Sequence, residues 1–65
     1  MSNADVAELS SLRAQLEDLT TRVVAVAERY DDTSDSAVAV DLFTAERSLR
    51  GATRALDRAA SHLTP

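Results

Sequence analysis

Apolar residues recur along the first half of this chain at alternating steps of three and four: Leu9, Leu12, Leu16, Leu19, Val23, Val26 and Tyr30. After a short polar break the rhythm returns as Val38, Leu42, Ala45, Leu49, Ala52, Leu56, Ala59 and Leu63. Such spacing is the a/d pattern of a coiled coil, in which one stripe of each helix keeps facing its partner. Written twice around one break, it predicts an all-α fold, an antiparallel two-helix hairpin of coiled-coil type. The expected elements are helix one over about residues 3–30, a turn over 31–36 and helix two over about 37–62, so that residues 1–65 form one unit.

Local signals agree with that division. Ser2 and Asp5 approximate a capping box, and Asp5 and Glu8 suit the positive end of a helix dipole. Arg13 with Glu17 and Asp18 with Arg22 are opposite charges four residues apart, the spacing that places side chains side by side on a helix. The run Asp31-Asp32-Thr33-Ser34-Asp35-Ser36 consists of short polar residues that bond their own backbone. It supplies a turn and offers N-caps for the second helix. Val23-Val24 and Val38-Ala39-Val40 have strand propensity, but each lies inside a longer heptad register.

The two registers meet when the chain folds back. Setting Leu9 opposite Ala59 aligns Leu12 with Leu56, Leu16 with Ala52, Leu19 with Leu49, Val23 with Ala45, Val26 with Leu42 and Tyr30 with Val38. The fold-back point then falls at Ser34, in the middle of the polar break. On this alignment large residues of helix one oppose alanines of helix two, and the helices approach closely. Arg29 lands opposite Asp41 and Glu8 opposite His62.

A chain of 65 residues forms a marginal core by itself. A lone two-helix seam also leaves its leucines half exposed. Val24, Ala27, Ala39 and Phe43, with Val6 and Ala60 on the same flank at the far end, are the expected face for a second copy. Two hairpins joined there make a twofold four-helix bundle. The expected partner is therefore a second copy or, failing that, a helical segment of another protein.

Composition excludes more than it assigns. The chain carries a net charge of −4, with no Cys, one His and no Lys. The first 35 residues hold eight acids against Arg13, Arg22 and Arg29, whereas the remainder carries a slight positive excess. An acidic total disfavours nucleic acid and anionic lipid, where neutralising phosphate dominates affinity. No apolar run is long enough to cross a membrane. The N-terminus lacks the positive start and apolar core of a secretory signal. A cytoplasmic, bacterial protein is the expectation, its Ala/Arg/Asp/Val-rich usage suiting a high-GC genome.

No catalytic constellation emerges. His62 stands alone and suits the negative end of helix two. The serines have no neighbouring His–acid arrangement. Asp31, Asp32 and Asp35 lack the central Gly and closing Glu of a calcium loop. No metal, cofactor or enzymatic activity is expected. The one polar set with recognition character is Arg47, Arg50, Arg54 and Arg58, a stripe expected on the outer back of helix two, with Gly51 among them. Guanidinium forks suit carboxylates and phosphates. The sequence thus predicts a non-enzymatic protein–protein interaction module: a scaffold, adaptor or small regulatory subunit. The alternative is a ligand- or nucleic-acid-responsive regulator using the arginine stripe.

Overall fold

The computed structural model describes residues 3–64. Two α-helices, α1 (Asn3–Tyr30) and α2 (Ser36–Leu63), pack against each other along a rod 51 Å long and 14 by 10 Å across, and no strand occurs among the described residues. Asp5 occupies the first turn of α1 and Arg29 the last, charges that suit the ends of a helix dipole, while His62 lies in the last turn of α2. The expected pairs Arg13–Glu17 (2.6 Å) and Asp18–Arg22 (3.6 Å) both form on α1. Ser2, half of the expected capping box, lies outside the described residues.

The reversal takes five residues, 31–35. Asp31 still donates its N–H to the Ala27 carbonyl at 3.1 Å, closing the last turn of α1. Asp32 then takes φ 59°, the left-handed conformation that ends helices and that aspartate tolerates better than most side chains. Thr33 holds the bend with one hydroxyl. Its Oγ1 donates to the Tyr30 carbonyl at 2.5 Å and accepts the Asp35 N–H at 3.2 Å. Asp35 is the N-cap residue of α2, but its side chain makes no capping bond. The N–H of Val38 instead reaches the Asp35 carbonyl at 2.9 Å.

Where the helices touch differs from the expected seam, and the difference is systematic. On α1 the covered positions are Val6, Leu9, Arg13, Leu16, Thr20, Val23, Val24, Val26 and Ala27; on α2 they are Ala39, Leu42, Phe43, Ala45, Glu46, Leu49, Gly51, Thr53, Leu56, Ala60 and Leu63. In a two-helix molecule, cover beyond a helix's own neighbours comes from the other helix. The stripes Leu9/Leu16/Val23 and Leu42/Leu49/Leu56/Leu63 therefore face inward, as expected. Of their companions, Leu12 (37% exposed), Leu19 (44%) and Val38 (41%) lie open while Val26 and Ala45 are half-buried, and Tyr30 (37%), the last member of the α1 stripe, is open too. The places intended for them are taken by Val6, Arg13, Thr20 and Ala27 on α1 and by Ala39, Glu46, Thr53 and Ala60 on α2.

The turn explains the choice. A five-residue reversal brings the two helices together at once, so the layer beside it must be small. Ala27 and Ala39 fill that layer at 0% and 1% exposure, the two buried hydrophobic residues among those described. The alternative layer, Tyr30 on Val38, would set two large side chains directly beside the reversal. Thr20, 6% exposed, is tolerated in the seam because its hydroxyl donates to the Leu16 carbonyl at 2.7 Å, and Thr53 does the same to Leu49 at 3.0 Å. No buried side-chain polar atom among the described residues lacks a hydrogen-bond partner.

Candidate functional site

The rotated seam gives the hairpin two unlike flanks, each one helix pair wide. The first is polar. Arg13 reaches across from α1, donating from Nε to Asp57 Oδ1 of α2 at 2.5 Å and from Nη1 to Glu17 Oε1 at 2.6 Å. The two carboxylates, Asp57 foremost, hold the Arg13 guanidinium above its ordinary pKa. Arg50 closes back on its own helix, with Nε and Nη2 both donating to Glu46 Oε2 at 3.0 and 2.7 Å. Arg13, Glu17, Arg50 and Asp57, with Thr20, Thr21, Thr53 and Arg54, line a shallow groove of about 370 Å³ running between the helices.

The arginine stripe therefore splits. Arg50 and Arg54 edge this groove beside α1 and do not lie on the outer back of α2 as expected. Arg47 leans on the Thr44 hydroxyl at 3.2 Å. Arg58 is exposed and forms no ion pair among the described residues. Of the guanidiniums in the groove, Arg13 and Arg50 are occupied by carboxylates and Arg54 is not. Gly51 leaves open space beside them; an added Cβ would meet only the end of Arg54, at 3.9 Å.

The second flank is apolar. Leu12, Leu19 and Val26 of α1 line it in steps of seven, and Val38, Ala45, Ala52 and Ala59 of α2 continue it in the same step. Leu12, Leu19, Val38, Ala52 and Ala59 are exposed; Val26 and Ala45 are half-buried. Polar residues border this surface: Glu8 and Arg29 on α1, Asp41 and His62 on α2. The expected intramolecular pairs Arg29–Asp41 and Glu8–His62 do not form, because the rotation of the seam carries all four residues to this rim.

The flank expected to receive a second copy is covered only in part within one chain. Ala27 and Ala39 are buried between the helices, and Val6, Val24, Phe43 and Ala60 are all half-buried. Sequence reasoning treated the Leu12/Leu19 stripe as interior and missed both Arg13–Asp57 and the polar groove. A usable signal existed: Ala27 and Ala39 are equally distant from Thr33, and small residues beside a tight reversal mark the closest approach.

No group of three or more His, Cys, Asp or Glu among the described residues is placed to hold a metal ion. No described helix is long and apolar enough to cross a membrane. No protein-family model, curated protein or solved structure matches the chain.

Proposed function

We propose that this hairpin is a non-enzymatic protein–protein interaction module whose working surface is the apolar flank, and that it self-associates there into a four-helix bundle. The observation that carries this reading is the exposure of Leu12, Leu19 and Val38 along one flank of a molecule with almost no buried apolar side chains. Contiguous exposed apolar surface rimmed by polar residues marks a binding face. A two-helix chain of this size has few other ways to complete a core. Its role would be that of a scaffold, adaptor or small regulatory subunit, acting through helix packing and not through chemistry.

Sedimentation equilibrium with circular dichroism on the same samples tests this. A helical species of about twice the 7.0 kDa chain mass is expected, and Leu19→Asp should return it to the monomer mass. A helical assembly unaffected by Leu19→Asp would refute the assigned face. A weakly helical monomer would refute self-association and give the flank to a different helical protein.

One observation favours a second reading, a regulator that senses an anionic ligand: Arg54 edges the polar groove without a carboxylate partner among the described residues. Titration with inorganic phosphate or a glutamate-rich peptide, compared with Arg54→Ser, separates it. Binding lost in the variant would support the groove, and no binding at physiological salt would refute it.

A further inference from the structure

The apolar flank is divided by size. The α1 edge presents Leu12, Leu19 and Val26, and the α2 edge presents Ala45, Ala52 and Ala59, both at steps of seven. Within one hairpin the ion pair of Arg13 with Asp57 and the buried alanines Ala27 and Ala39 imply alignments that differ by about one helical turn, and the register lies between them. On that register Leu12 stands at a height between Ala52 and Ala59. Leu19 stands between Ala45 and Ala52, and Val26 between Val38 and Ala45.

Two ways of pressing such flanks together preserve twofold symmetry. With the axis parallel to the helices, heights are kept and α1 of one copy lies along α2 of the other. Every leucine then meets a gap between alanines, the knobs-into-holes fit of coiled coils. With the axis across the helices, α1 meets α1 and α2 meets α2. Leucine then stacks on leucine or valine along one edge and alanine on alanine along the other, which forces two unequal helix separations on a single bundle.

Building on the self-association read above, the geometry points to the first arrangement. A second copy docks on the apolar flank with both turns at the same end, each copy's Leu12, Leu19 and Val26 seated among Ala45, Ala52 and Ala59 of the other. The rim agrees: at preserved height Arg29 comes beside Asp41 of the second copy, and Glu8 beside His62 of the second copy. Area agrees as well. The whole rod is 51 Å long and 14 Å across, so one face offers at most about 700 Å² per copy, just under the ~800 Å² per partner of a standard specific interface.

The chain contains no Cys, so Ser34→Cys places a single spin label at the turn. Double electron–electron resonance, with mass measured on the same sample, then reads the arrangement. A dimer whose labels lie within about 30 Å is the expected result, since helices of one bundle sit ~8–10 Å apart. A dimer whose labels approach the 51 Å length of the rod would overturn this arrangement and leave self-association standing. A monomer would overturn both. Ala52→Trp, which fills a gap on an exposed position, should weaken the dimer at least tenfold with helicity kept; unchanged affinity would overturn the seating of leucine on alanine. Arg50→Ser, on the opposite flank, should leave the dimer intact.

Discussion

The two flanks of this hairpin border the same seam yet differ in what they leave unfinished. On the polar flank, Arg13, Glu17, Asp57, Glu46 and Arg50 satisfy one another within the chain. On the apolar flank, Leu12, Leu19 and Val38 stay 37–44% exposed. Charged groups at a surface are content in water, and their pairing adds little. Leucines left in water forgo ~1.5–3 kcal/mol each relative to full burial. The flank without chemistry is therefore the one under thermodynamic pressure to bind, while the flank with most of the hydrogen bonds has least to gain.

That contrast is broken most severely at the layer both flanks depend on. Ala27→Leu, at 0% exposure beside the turn, should cost ~1–3 kcal/mol of hairpin stability by overpacking the closest approach of the helices. Ala52→Leu, on the open flank, should leave the isolated hairpin unchanged; chemical denaturation of both variants at dilutions that hold the chain monomeric makes the comparison. Equal losses would mean that the seam does not run where the burial places it. Next in size, Thr33→Val removes the hydroxyl bonds to Tyr30 and Asp35 and should cost about 1 kcal/mol, read by the same unfolding curves.

Gly51→Ala sharpens the picture from the polar side. The new methyl meets only Arg54, at ordinary contact distance, so the helix-propensity gain of ~0.5–1 kcal/mol should appear as a higher melting temperature. Its failure would show that the groove needs that space.

The smallest effect is that of Asp57→Asn, which weakens the tie to Arg13 and should lower the melting temperature slightly at low salt and negligibly at about 0.5 M salt, where the Debye length is short. The pH dependence has a fixed sign on the arginine side. Because Arg13 is raised in the folded state, its contribution is fully present at neutral pH and is lost only in strong alkali, as pH rises through the folded value. A melting temperature that fell between pH 7 and 9 would have to come from another group.

Much of this architecture was readable from residue order. The heptad rhythm on either side of residues 31–36 dictates two helices, and the polar run between them dictates a reversal. The i,i+4 pairs of Arg13 with Glu17 and Asp18 with Arg22 follow from helix geometry alone. The working surface was not readable in the same way. Each helix carries three adjacent stripes with the same seven-residue step: Leu12/Leu19/Val26, Leu9/Leu16/Val23 and Val6/Arg13/Thr20/Ala27 on α1, with counterparts on α2. The middle stripe belongs to the seam whichever neighbour joins it, and the more apolar neighbour is the natural choice by hydrophobicity.

The sequence by itself thus determined the helices, the turn and the central stripe of leucines, because these depend on periodicity and local backbone chemistry. Only the tertiary structure decided which neighbouring stripe closes the seam. Beside the five-residue reversal the small residues Ala27 and Ala39 are buried between the helices, while the larger Tyr30 and Val38 stay exposed. Along the rest of the seam Thr20 is buried, Arg13 bridges the helices on the polar flank, and Leu12 and Leu19 are left exposed.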